Sequence, residues 1–181
     1  MRHAASRFLA IAMLIMSGAV IAAPAIQTWE TVAGARVLFV AAPELPMVEV
    51  RAVFDAGSVR DGAQFGLANL VVTMLENGAG QWDAEAIAAR LEDVGAQLET
   101  GVSRDAAWLH LRSLSEPAAL SPALATVREM IVNPNFGEAD LERERRRQLV
   151  GIRQREQEPA AQSSTAFFAL VYGDHPYAHP K

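Results

Sequence analysis

The residues best suited to metal chemistry are two histidines near the end of the chain, His175 and His179. Imidazoles four residues apart on a helix project from one face and can hold zinc together. Pro176 and Pro180 follow the two histidines directly. A proline inside a helix removes a hydrogen bond and clashes with the preceding turn. Without a regular helix, the spacing of four residues does not place the two imidazoles on one face. We therefore expect no metal site at this pair.

A charged stretch and a third histidine could also carry chemistry, but a structural role explains each of them more simply. The stretch 138–158 holds six arginines and six acidic residues, so it is neutral. Opposite charges three or four residues apart form ion pairs along a helix, which predicts a solvated face rather than an anion site. His110 lies two residues after Trp108 in an apolar stretch, which indicates a residue on a sheet face. The chain has no cysteine, which excludes disulfides, thiolate metal sites and thiol catalysis.

The stretch GLANLVVTMLENGAG, 66–80, is a short apolar helix between glycines. This arrangement is typical of an active-site helix, yet the stretch contains no histidine. Its single carboxylate, Glu76, comes late and has no histidine partner, so we do not expect it to be catalytic.

The elements that would position these residues follow from hydrophobic periodicity and turn signals. Strands are predicted at Gln27–Thr31, Arg36–Val40, Met47–Phe54, Gln97–Ser103 and Ala106–Arg112. Helices are predicted over 66–80, 84–95, 116–132, 138–158 and 160–171. The order predicts an α+β fold, a two-layer sandwich with a mainly antiparallel sheet and helices packed on one face.

Residues 1–25 predict a secretory signal peptide. Arg2 and Arg7 precede the apolar run 8–16, and Ala23–Ala25 forms a cleavage pattern of small residues. The apolar run is too short to span a bilayer. We therefore expect a secreted or periplasmic chain with no stable membrane anchor after cleavage; the alternative is an uncleaved N-terminal anchor.

The charge of the chain argues against nucleic acid as a partner. The formal net charge is −5, and loss of two arginines and no acidic residue with 1–25 makes it −7. A surface that neutralises phosphates needs an excess of basic residues.

Several pieces in order make the chain similar to the N-terminal domain of the insulinase/pitrilysin family, zinc peptidases with an inverted His-x-x-Glu-His motif. These pieces are Ala56-Gly57-Ser58, Gly66-Leu67-Ala68, Met74-Leu75, Asn77-Gly78, the charged stretch LERERRRQLVGIRQREQEP and the final YGDHPYAHP. The resemblance covers nearly all of 26–181 and implies the fold of a processing-peptidase-like domain.

The resemblance also shows where the family's chemistry would lie. The family holds zinc with two histidines and a later glutamate, and a motif glutamate takes a proton from the bound water. The histidines fall at Asn69 and Thr73, the catalytic glutamate at Val72 and the later ligand at Gly151. Neutral oxygens are poor zinc ligands, a valine accepts no proton, and glycine has no side chain. A supporting glutamate is kept at Glu144.

The resemblance therefore implies a catalytically inactive homologue that binds no metal or cofactor. We expect a non-catalytic subunit that helps a homologous zinc-competent periplasmic peptidase enclose extended peptides, with zinc only in that partner. Peptides would add a strand to a sheet edge, with Met47–Phe54 and Ala106–Arg112 as candidates. The alternatives are a stand-alone periplasmic peptide-binding protein and an active metallopeptidase with other ligands. Because the resemblance places YGDHPYAHP inside the first of several related domains, we also expect this domain to be incomplete at its C-terminus.

Overall fold

The computed structural model describes residues 25–179. The predicted signal peptide lies outside this range except for Ala25. The described residues divide into two compact units, the first ending at Leu45 and the second beginning at Pro46. In the first unit, β1 (Ile26–Glu30) pairs antiparallel with β2 (Arg36–Val40). This is the predicted hairpin, with bounds that differ by one residue in the first strand.

The second unit contains all remaining elements. In chain order they are β3 (Met47–Phe54), α1 (Leu67–Leu75), β4 (Gly78–Ala79), β5 (Trp82–Asp83), α2 (Ala84–Glu92), β6 (Gln97–Val102), β7 (Ala107–Leu114), α3 (Pro117–Val132), α4 (Glu138–Gln157) and α5 (Pro159–Tyr172). The short hairpin of β4 and β5 and the 3-10 turns Ser58–Arg60 and Pro176–Ala178 were not predicted.

The sheet of the second unit is antiparallel in the order β3-β7-β6. Strand β7 is therefore central. The prediction that Ala106–Arg112 could offer an edge to a peptide is wrong for the described residues, because β7 pairs on both sides. The two edges of this sheet are β3 and β6.

The core lies between one face of this sheet and the helices. Side chains of β7 alternate between buried and more exposed positions, with Leu109 and Leu111 each 2% exposed. The central cluster consists of Ala79, Ile87, Leu91, Ala96, Leu111, Ala123 and Met130. Helix α3 packs on β7, and α2 packs on α3. This confirms the predicted α+β layout with helices on one face of an antiparallel sheet.

The opposite face of the sheet carries a group of charged side chains. The Arg112 guanidinium lies 2.7 Å from a Glu49 carboxylate oxygen. Its hydrogen bond and charge lower the pKa of Glu49 below the usual value. His110 lies between the carboxylates of Glu49 and Glu99, at 3.5 and 3.8 Å. His110 is thus a sheet-face residue, as predicted.

Candidate functional site

Helices α1 and α4 pack together in antiparallel directions. The Gln148 side-chain Nε2 donates to the carbonyl of Gly66 at 2.9 Å, at the start of α1. The Arg143 guanidinium, one turn earlier on α4, donates to the Asn77 side-chain oxygen just after α1 ends. Gly66 has φ +91°, and an added Cβ would lie 2.2 Å from Gln148 Nε2. The positive φ therefore favours glycine at this contact between the two helices.

The start of α1 is held by a residue that the sequence analysis did not identify. Asp61 is 6% exposed, and its two carboxylate oxygens accept from the backbone N–H groups of Gly66 and Ala68, each at 2.8 Å. The first N–H groups of a helix have no partner within the helix, and a carboxylate satisfies them especially well. Asp61 therefore fixes the helix that carries three of the four motif positions.

The three motif positions on α1 have different surroundings. Val72 is 6% exposed and is a packing residue. Asn69 is exposed and lines a small cavity of about 150 Å³ with Ser58 and Arg155. Thr73 is half-buried and lines a separate, larger cleft. The two polar residues are four apart on α1, so they share one face of the helix, and each lines its own cavity.

The fourth position lies on the helix opposite. Gly151 is on the same face of α4 as Gln148 and Arg155, at spacings of three and four residues. A Cβ added at Gly151 would meet no atom within 4 Å. The space that a side chain would use at this position is thus open.

Glu144 departs from the predicted solvated face of α4. Its side chain is 4% exposed, and its two oxygens pair with Arg143 Nε at 3.1 Å and Arg147 at 3.0 Å. A buried carboxylate needs this compensation, because an unpaired charge is costly to bury. Other ion pairs do follow the predicted spacing of three residues, including Arg145 with Glu142. Bonding to Asp140 and Glu144 raises the pKa of Arg143 above its ordinary value.

The larger cleft, here named the Thr73 cleft, has a volume of about 450 Å³. It lies between α1, α2, β6 and α4, with Thr73 and Glu144 on its walls. Beside it, the Thr100 hydroxyl on β6 donates to Glu76 Oε1, just past the end of α1. This position ties the edge strand β6 to the motif helix, and Glu76 has a partner other than a metal or histidine.

The family model of insulinase (peptidase family M16) matches residues 36–180. The chain belongs to this family. Among solved structures, it is similar to a peptidase M16 inactive domain from Pseudomonas fluorescens, with 41% identity and a TM-score of 0.83 over 86% of this chain. The recognition of an M16 homologue of the non-catalytic kind is thereby confirmed. A search of curated proteins finds no match.

More distant M16-like folds extend the comparison. A protease from Helicobacter pylori has 20% identity and a TM-score of 0.76 over 86% of this chain. An M16-like peptidase from Alicyclobacillus acidocaldarius has 17% identity and a TM-score of 0.71 over 87%. At these identities the likeness concerns the fold alone. This chain spans 38% of the length of each of the three structures.

The M16 motif positions do not fit zinc in this chain. Asn69 and Thr73 offer only neutral oxygens, Val72 is buried and has no polar atom, and Gly151 has no side chain. Across residues 25–179, no group of three or more histidine, aspartate or glutamate side chains is arranged to hold a metal ion. No M16 hydrolytic step can be derived through these residues.

The histidines at the end of the chain are separated by their local contacts. His175 Nδ1 accepts from the Tyr177 backbone N–H at 3.2 Å, at the start of the 3-10 turn. The His179 ring packs on Phe65 with 4.2 Å between centroids. No regular helix connects them, as the prolines predicted.

Within the described part of the chain, no helix is long and apolar enough to cross a membrane.

Proposed function

We propose that this M16 homologue is a non-catalytic, peptide-binding subunit that works beside a zinc-competent M16 chain. The observation that carries this proposal is that α1 and α4 remain packed around four motif positions, none of which offers a zinc ligand. The retained packing includes the Asp61 cap, the Gln148 contact and buried Glu144. A scaffold that has lost its chemistry but kept these contacts supports a role in holding peptides rather than cleaving them.

The proposed binding mode is addition of a peptide strand to an edge of the sheet. Of the two edge strands of the β3-β7-β6 sheet, β6 is the better candidate for binding a peptide. It packs against α1, Leu98 lines the Thr73 cleft, and Val102 lines the small cavity beside Asn69. A peptide on β6 would thus run past both former histidine positions, whereas neither cavity has a lining residue from β3.

The proposal places the chain outside the cytoplasm, secreted or periplasmic, because residues 1–25 have the pattern of a signal peptide. Zinc would belong to the partner subunit, whose His-x-x-Glu-His motif supplies the hydrolysis. The net negative charge supports a peptide rather than a nucleic acid as the ligand.

Co-purification tests the subunit role. The chain is expressed without 1–25 together with a zinc-competent M16 homologue from the same genome, and peptide hydrolysis is measured with each chain alone and with both. We expect a stable complex that hydrolyses peptides faster than the zinc-competent chain does alone. If the chains elute separately and hydrolysis is unchanged, the subunit role is refuted.

A stand-alone peptide-binding protein is the second candidate, because both cavities are built from residues of this chain. The same experiment separates the two functions. Peptide binding by the chain alone, with no complex and no effect on hydrolysis, would favour the stand-alone role.

A further inference from the structure

The Thr73 cleft combines an apolar floor with an acidic mouth. The floor and sides are apolar residues of α2, β6 and the segment between them: Ala84, Ile87, Ala88, Leu91, Ala96 and Leu98. Ile87 and Leu91 are 3% and 6% exposed, so the floor is continuous with the core. The small side chains of Ala84 and Ala88, four residues apart on α2, leave room above them. A long aliphatic chain fits this floor.

The charges around the cleft are unevenly compensated. The lining acids are Glu76, Glu92 and Glu144, against one base, Arg147. Arg147 forms an ion pair with Glu144, which also pairs with Arg143. Glu76 receives only the neutral hydroxyl of Thr100. Glu92 is exposed and forms no ion pair within residues 25–179. Two carboxylates therefore remain to receive a cation.

The sheet register determines which peptide side chain could enter. In β6, Leu98 lines the cleft, and Thr100, on the same face, contacts Glu76 beside it. Side chains of neighbouring strands point alternately to the two faces of a sheet. A strand paired to the free edge of β6 would therefore direct every second side chain toward the helices, and one of these lies at the cleft.

From these observations we propose that the Thr73 cleft is a subsite for a lysine or arginine side chain of a bound peptide. The aliphatic stem lies on Ile87, Leu91 and Leu98, and the cationic head reaches Glu76 and Glu92. Long basic side chains bind in this way, with the stem on apolar surface and the charge at its rim. This inference rests on the proposed peptide-binding function and specifies which peptides the chain selects.

Binding of blocked, extended eight-residue peptides tests the subsite. The peptides are identical except for one central residue, which is lysine, norleucine or glutamate, and dissociation constants are measured with the full chain. Norleucine matches the lysine stem without its charge. We expect the lysine peptide to bind about tenfold more tightly than the norleucine peptide, as a charge-assisted contact provides.

Substitutions in the cleft show which residues bind the lysine side chain. Glu92→Gln and Glu76→Gln should each weaken the lysine peptide about threefold or more, in the range of a partly exposed ion pair, and leave the norleucine peptide unchanged. Glu85→Gln is the matched control, since Glu85 lies on α2 but does not line the cleft. Ala88→Phe should weaken both peptides by filling the space above the floor, because Ala88 is exposed and lines the cleft.

The possible failures are distinguishable. Equal affinity for lysine and norleucine peptides would overturn the basic subsite and leave peptide binding standing. An unchanged affinity in Ala88→Phe would show that the peptide side chain lies elsewhere. If none of the peptides binds, peptide binding and the subsite are both refuted, whereas the subunit role is still judged by co-purification.

Discussion

At the scale of single residues, the former active site shows two kinds of position. Asn69, Val72, Thr73 and Gly151, the predicted motif positions, do not offer the ligand set that zinc needs. Asp61 and Gly66 keep the geometry of α1, because one satisfies its first N–H groups and the other adopts the positive φ at its start. Chemistry depends on a few side chains, whereas the helix pair depends on contacts that do not need the metal.

Replacing Asp61 tests this division. Asp61→Asn keeps the size of the side chain but turns an amide NH₂ toward one of the two N–H groups. We expect the free energy of unfolding to fall by about 2 kcal/mol, because a buried, charge-assisted hydrogen bond is lost and a donor is left unpaired. Chemical denaturation measures the change. Asp174→Asn, at an exposed turn, is the control, and equal stability of both variants would contradict the role of Asp61.

At the scale of elements, the sequence predicted the helices and long strands well. The bounds of β3 were predicted without error, and the start of α2 was predicted at Ala84, where Asp83 caps the helix through the Ala86 N–H. These features depend on local periodicity and capping. The two-residue strands β4 and β5 were missed because two residues show no periodicity. The central place of β7 was missed because strand order is set by pairing between distant segments.

The functional site follows the same rule. The motif positions are a prediction from the order of residues and the family resemblance. The Asp61 cap reaches five and seven residues along an irregular loop, and its pattern is not a usual capping signal. The Thr73 cleft combines residues from four elements between 73 and 147. Neither feature has a signal in a short window of sequence.

The final turn of the chain is joined to the β6–β7 turn by Tyr177, whose hydroxyl donates to an Asp105 oxygen. In the same β6–β7 turn, the Arg104 guanidinium lies 4.0 Å from the centroid of the Phe168 ring on α5. The hydrogen bond to Asp105 raises the pKa of Tyr177 above its usual value. The bond therefore stabilises the fold fully below the pKa of an unfolded tyrosine, and this contribution is lost as pH rises through the folded pKa.

Alkaline titration tests this connection. Tyr172 and Tyr177 are the two tyrosines of the chain, so Tyr172→Phe leaves a single phenol whose ionisation is followed by absorbance. In that background, Asp105→Asn should lower the pKa of Tyr177 toward its ordinary value, because the negative acceptor is removed. An unchanged pKa would show that Asp105 does not hold the tyrosine in solution.

At the scale of the whole molecule, the chain has the M16 architecture. The TM-score of 0.83 to the inactive domain from Pseudomonas fluorescens covers most of this chain, and α1 and α4 remain packed as a pair. The four motif positions are separated by 82 residues, from Asn69 to Gly151. Only the complete fold brings these positions together, so the fold itself can be tested by restoring the ligands.

We expect the combined variant Asn69→His, Thr73→His and Gly151→Glu to bind zinc. On α1, Asn69 is exposed and Thr73, four residues later, is half-buried, so both positions can accept a histidine. A Cβ at position 151 would enter open space. Replacing a helical glycine also adds about 1 kcal/mol of helix stability. Because Val72 is unchanged, the readout is bound zinc and a metal-dependent rise in Tm, not hydrolysis. A variant with glutamine at all three positions matches the sizes without the ligands and should stay metal-free. If the histidine variant folds but retains no more zinc than the glutamine variant, α1 and α4 are not placed as the structure has them.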